Sequence, residues 1–138
     1  ESAARMGADE IDMVINIGMM KAGNTEYVYN DIKSVVDAAK KHGASVKEII
    51  ECCELTDAEK IEACRISERA GAAFVKTSTG FGSGGATAHD VALMRSAVSP
   101  SVKVKAAGGI RTREAALEMI NAGADRIGTS AGTVICSL

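Results

Sequence analysis

Two hydrophobic periods alternate along the chain. Short runs, at roughly 10–17, 47–53, 72–78, 102–107 and 125–130, are β-branched or apolar on both faces, as parallel strands covered by helices must be. Between the first two runs, Val28, Ile32, Val35 and Val36 recur at helical spacing. Helix starts are marked by Thr56-Asp57-Ala58-Glu59, a capping box, by the near match Thr87-Ala88-His89-Asp90, and by Thr112 ahead of Glu114. Strictly alternating strand and helix predict an α/β fold with a parallel sheet and right-handed crossovers. Five strands are too few to close an eight-stranded barrel. Periodicity alone therefore leaves an open doubly wound sheet and part of a barrel nearly even.

A short repeat sharpens the picture. Three times a helical stretch ends in a Gly-Ala step and runs straight into a strand: at Gly7-Ala8, Gly71-Ala72 and Gly123-Ala124. Each glycine stands where a helix end favours positive φ. Five residues on from these glycines stand Asp12, Lys76 and Gly128. In a barrel that offset falls in the middle to C-terminal part of each strand, where active sites are built.

Composition narrows the classes. The chain has 138 residues, 46% apolar and 25% charged, which predicts a single folded domain over 1–138. Fourteen glycines against one proline and two phenylalanines imply tight turns over a core of Ile, Val, Ala and Met. A net charge of −2 without a basic, aromatic-laced patch argues against nucleic acid as a partner. No apolar run reaches the length of a membrane span, and no signal peptide is visible at the start. Cys52, Cys53, Cys64 and Cys136 lack Cys-x-x-Cys spacing and read as buried core thiols in a reducing cytoplasm. No metal ligands stand at useful spacing. His42, His89 and Glu51 are given no role.

Three groups of residues carry chemistry. Lys76 lies at the end of an apolar run, Ala73-Phe74-Val75-Lys76. Burial there would help its ammonium lose a proton, and a neutral amine attacks carbonyls. A buried stem with its head in water is an equal reading of that position. Lys105 lies late in the next run, on one face with Lys103, and a second ammonium near Lys76 would push the less solvated of the two down. Asp12 shares a face with Val14 and Asn16, opposite Ile11, Met13 and Ile15; it can relay protons or simply pair with a lysine. Lastly, Gly108-Gly109-Ile110-Arg111 and Gly128-Thr129-Ser130 follow the last two strands. Backbone amides at two neighbouring loops beside an arginine suit a phosphate, although plain turn glycines would look the same. The Gly80–Gly85 stretch after Lys76 is expected to be a mobile flap or a source of further phosphate contacts.

Taken in order, Gly7–Asp12, Phe74–Gly80, Lys105–Thr112 and Gly128–Ser130 resemble the deoxyribose-phosphate aldolases along essentially the whole chain. The resemblance implies a (β/α)8 TIM barrel, incomplete here, whose fourth to eighth strands are the five runs. It also implies reversible cleavage of 2-deoxy-D-ribose 5-phosphate to acetaldehyde and D-glyceraldehyde 3-phosphate, with no metal or organic cofactor. On that footing Lys76 matches the Schiff-base lysine, Lys105 the lysine that lowers its pKa, and Asp12 the proton relay. Gly80, Gly108, Gly109, Gly128 and Ser130 match the phosphate loops. Phe81 stands where some members carry a lysine, which leaves Arg111 or backbone to compensate. Three upstream βα units and a terminal helix are absent, so the chain alone is expected to be inactive, poorly folded or prone to associate with copies of itself. Two alternatives stay open: another Schiff-base phosphate-binding barrel such as a transaldolase, and a non-catalytic fragment that only binds sugar phosphate.

Overall fold

The structure, a computed structural model, describes residues 1–137; Leu138, the last residue of the expected domain, lies outside them. Five strands alternate with helices: α1 (Ser2–Arg5), β1 (Glu10–Val14), α2 (Ile17–Lys21), α3 (Thr25–Lys40), β2 (Ser45–Ile49), α4 (Asp57–Ala70), β3 (Phe74–Lys76), α5 (Ala88–Ala97), β4 (Lys103–Ala107), α6 (Arg113–Asn121), β5 (Arg126–Gly128) and α7 (Gly132–Cys136). All strand pairs are parallel, and spatial order equals chain order, β1-β2-β3-β4-β5. A doubly wound sheet reverses direction partway through its strand order, whereas a barrel winds one way throughout. The order therefore decides for the barrel.

Local chemistry explains where elements begin and end. Thr56 and Glu59 form the capping box reciprocally, and Thr87 and Thr112 cap α5 and α6 by accepting from Asp90 N and Ala115 N. Gly7, Gly71 and Gly123 take φ of 99°, 94° and 111°, turning each helix end into its strand. The strands are shorter than the apolar runs. Asn16 accepts from Met19 N and caps α2, which ends the first strand at Val14 rather than residue 17. A 3-10 turn at Cys52–Glu54 likewise takes the end of the second run.

Alternation along the strands sorts two faces. Ile11 and Met13, with Val46, Ile50, Val75, Val104 and Ala106, pack under the helices. Val28, Ile32 and Val36 of α3 are buried against them, and Ile66 and Met94 do the same from α4 and α5. Glu48 belongs to this outward, apolar set and is 0% exposed, with neither carboxyl oxygen hydrogen-bonded among the described residues. The opposite face carries Glu10, Asp12, Lys47, Phe74, Lys76, Lys105 and Arg126 and is open enough that Val14 is 44% exposed. The outer edges of β1 and β5 pair with no strand among the described residues.

One expectation needs correction. Cys52 and Cys64 are buried, and burial pushes both thiols up, that of Cys64 to about 12; Cys53 and Cys136 are exposed. Neighbouring residues of the 3-10 turn point apart, so Cys53 cannot follow Cys52 inward. The glycine-rich stretch is anchored at both ends, by Thr79 to Glu51 and by Ala86 N to Gly108 O. No helix among the described residues is long and apolar enough to cross a membrane.

Candidate active site

Lys76 ends the central strand, with Lys105 beside it in register on β4. Thr77 continues the anchoring: its hydroxyl donates to Ala107 O at 3.0 Å and accepts from Ala107 N at 3.1 Å. Lys76 is 9% exposed, and its Nζ donates to Asp12 Oδ2 at 2.9 Å. The other Asp12 oxygen accepts from Lys47 Nζ at 3.0 Å. Burial on its own would raise the Asp12 carboxyl, but the hydrogen bonds from Lys76 and Lys47 outweigh it and hold the group below the usual carboxylate range.

The ammonium that the surroundings push down is that of Lys105, first by burial and then by the nearby charges of Lys76 and Lys47. Register sets Lys105 on the strand beside Lys76, and the carboxylate that Lys76 meets is that of Asp12. Lys103, on the same face nearer the strand start, is exposed and lies 3.8 Å from Asp125.

Above these groups opens a cavity of about 370 Å³ lined by Lys76, Thr79, Gly80, Lys105, Gly108, Gly109, Arg111, Gly128, Thr129 and Ser130, among others. Every residue nominated from the sequence lines it except Asp12, which reaches it through Lys76. Thr129 Oγ1 donates to Ile110 O at 2.6 Å and ties the loop after β5 to the loop after β4. Gly128 is required by the lysine: a Cβ there would lie 2.9 Å from Lys105 Cε and 3.0 Å from Ala107 Cβ.

Lys47 was missed by sequence reading. It is 4% exposed, donates to Glu10 Oε2 at 2.9 Å as well as to Asp12, and stands 5.4 Å from the centroid of the Phe74 ring. Arg126 meets the same Glu10 oxygen at 2.7 Å and covers Phe74 at 4.4 Å. Glu10, Lys47, Phe74 and Arg126 thus form a floor joining the first and last strands beneath Asp12 and Lys76. The signal that could have found Lys47 is its place at the base of an apolar run, opposite Asp12 in register. Elsewhere, Asp57, His89 and Asp90 lie close together, but the ammonium of Lys60 bonds both aspartates, at 3.0 and 2.6 Å.

Residues 1–137 match the DeoC/LacD family of aldolases. The chain belongs to that family. It is 64% identical over 129 residues to the deoxyribose-phosphate aldolase of Thermococcus kodakarensis, covering 94% of this chain and 58% of that protein. The deoxyribose-phosphate aldolase of Thermotoga maritima is 63% identical over 133 residues, covering 96% of this chain and 53% of its own. A solved structure described as a unique tetrameric structure of deoxyribose phosphate aldolase from Aeropyrum pernix superposes with a TM-score of 0.88 at 36% identity, covering 97% of this chain and 56% of that one. The chain thus spans a little over half the length of the curated relatives it matches. As a DeoC/LacD-family sheet of five one-way strands, it is an incomplete (β/α)8 barrel.

One prediction belongs to this geometry. Gly128→Ala is expected to push the Lys105 side chain aside and lower any cleavage rate by about tenfold to a hundredfold, since a misplacement near 1 Å costs that much. Steady-state kinetics beside a thermal melt checks it; unchanged kinetics would show that Lys105 has room the structure does not give it.

Proposed function

We propose that the chain carries the catalytic wall of a Schiff-base aldolase that reversibly cleaves 2-deoxy-D-ribose 5-phosphate to acetaldehyde and D-glyceraldehyde 3-phosphate. On this reading the chain is one partial barrel domain. The observation that supports it is the layout of the cavity, with two lysines and a carboxylate at one end and glycine-rich backbone with Arg111 at the other. Such a cavity suits a short sugar with a reactive carbonyl at one end and a phosphate at the other.

The chemistry follows from the geometry. Lys76 must shed its proton before it can attack, and Asp12, 2.9 Å from its Nζ, and Lys105, in register on the next strand, are the groups placed beside it. The neutral amine adds to the C1 aldehyde of the open-chain sugar, and loss of water leaves an iminium. This cation draws in the electrons of the C2–C3 bond, which breaks as the C3 hydroxyl loses its proton towards Asp12, directly or through water. Glyceraldehyde 3-phosphate departs and leaves an enamine on Lys76. Protonation at C2, then addition of water to the iminium, releases acetaldehyde and restores the amine. The iminium itself is the electron sink, so the scheme calls on no metal or organic cofactor.

A second reading assigns the nucleophile to Lys105, favoured by that lysine's lowered pKa. Borohydride reduction in the presence of acetaldehyde, followed by peptide mapping, separates the two. Reduced adduct on Lys76 is the expected result. Adduct on Lys105 would transfer the role, and absence of any adduct would overturn the Schiff-base scheme in favour of simple sugar-phosphate binding.

A further inference from the structure

Glu51, just past the end of β2, is the only non-glycine residue with positive φ among the described residues, at 52°. A side chain bearing a β-carbon is strained in that conformation, and such strain persists only where surrounding contacts enforce it. Its side chain is the enforcing contact. Glu51 is 5% exposed, and its carboxylate takes the Thr79 amide at 3.1 Å and the Thr79 hydroxyl at 2.5 Å. Thr79 Oγ1 in turn accepts from Phe81 N at 3.1 Å. Both Thr79 hydrogens are therefore committed to Glu51, and the residue that follows, Gly80 with φ of 93°, is held where it lines the cavity.

The rest of the stretch is fastened in the same manner. A Cβ on Gly82 would come 3.1 Å from Cys53 Sγ and 3.3 Å from Glu51 Cδ, and one on Gly84 would come 3.1 Å from Cys53 Cβ, so this backbone lies directly on the turn that begins at Glu51. At the far end Ala86 N donates to Gly108 O at 3.0 Å, and a Cβ on Gly85 would sit 2.3 Å from that oxygen. Residues 79–86 are thus a strap between the end of β2 and the glycine loop after β4. Glu51 does not itself line the cavity.

We propose that Glu51 is a positioning residue for phosphate recognition, one that sets the Thr79–Gly80 backbone, and through the strap the Gly108 loop, in the arrangement a sugar phosphate needs. This rests on the aldolase reading above. A carboxylate suits the task because one group accepts two hydrogens from a single residue on separate oxygens, and preset amides bind without reordering. The proposal makes a selective demand: removal of Glu51 must harm ligands that carry phosphate and spare those that do not.

The test uses the Lys76 adduct, trapped by borohydride at graded concentrations of 2-deoxyribose 5-phosphate or of acetaldehyde, which has no phosphate. For Glu51→Ala the half-trapping concentration of the sugar phosphate is expected to rise about tenfold or more, while that of acetaldehyde stays within about twofold. Inorganic phosphate should also lose most of its ability to compete with the sugar phosphate. Glu51→Gln keeps the side chain's shape and one acceptor, so it should fall between; it carries the same comparison if the alanine variant melts below the assay temperature. Equal shifts for both ligands would make Glu51 a general structural residue and overturn the proposal, as would no shift for either. If the unsubstituted chain yields no adduct on Lys76 with either ligand, the aldolase reading itself fails, and that result is visible before any variant is made.

Discussion

Replacing Lys76 with leucine is expected to erase the borohydride-trapped adduct and to lower any cleavage rate by about 10⁴-fold or more, the scale on which a covalent nucleophile acts. Leucine fits the site because the lysine stem is already buried, so the loss should be chemical and the fold should survive. Asp12 keeps its second partner, Lys47, and is not left as an unpaired charge. Lys105 loses a like-charged neighbour, and its lowered pKa should relax partway upward, with burial still holding it down. Lys76→Arg sharpens the test, since it retains the cation for Asp12 but cannot form an imine. Both variants should therefore be equally inactive. A trapped adduct that persists in either would refute the assignment of Lys76.

Replacing Glu48 with methionine is expected to stabilise the fold by about 3 kcal/mol at neutral pH, and by more in alkali. Glu48 sits among apolar side chains on the helix-facing side of β2, and burial, with a smaller contribution from Asp31, pushes its carboxyl from 4.5 to about 9. Below pH 4.5 folded and unfolded chains both hold this proton. Between 4.5 and about 9 the unfolded chain releases it and the folded chain does not, so each pH unit costs the folded state about 1.4 kcal/mol. Near pH 7 this amounts to about 3 kcal/mol, or roughly 10 °C in melting temperature for a chain of this size. Methionine removes the titration together with two unpartnered oxygens and roughly conserves volume. Thermal unfolding from pH 5 to pH 9 checks the prediction. The gap between the variant and the parent should widen steadily across that range, and a constant gap would show that protonation of Glu48 has no part in it.

The strands, their parallel pairing and the helix caps were legible in the sequence because local chemistry writes them. Thr56 to Glu59 cap a helix through bonds within four residues, and Gly71 can be seen to need its positive φ. The equivalence of Asp12, Lys76 and Gly128 was legible for the same reason, each being a fixed step from a local turn. What depends on residues distant in sequence was not. Lys47 matters because it lies opposite Asp12 in the β1–β2 ladder, and the chain between the two strands does not announce that register. Glu51 matters through Thr79, twenty-eight residues on. The depression of Lys105 comes from its burial and from the charges of Lys76 and Lys47 around it, a question of side-chain geometry. Glu48 departs from every local rule, since a carboxyl in an outward apolar set has no counterpart in the hydrophobic pattern.

The strand order has a consequence for how this sheet comes apart. Each ladder joins consecutive strands, so the sheet can grow and fray one unit at a time, as a linear array does. The Glu10–Arg126 bond, 116 residues apart in sequence, is the one tie between its two ends described above. Opening should begin at β1 or β5 and reach β3 last, and amide exchange should show a gradient that falls towards the middle. Lys76 rides on that middle strand. Its amine would remain fixed in place while both rims of the sheet breathe, and Asp12, on an end strand, would be the partner that comes and goes.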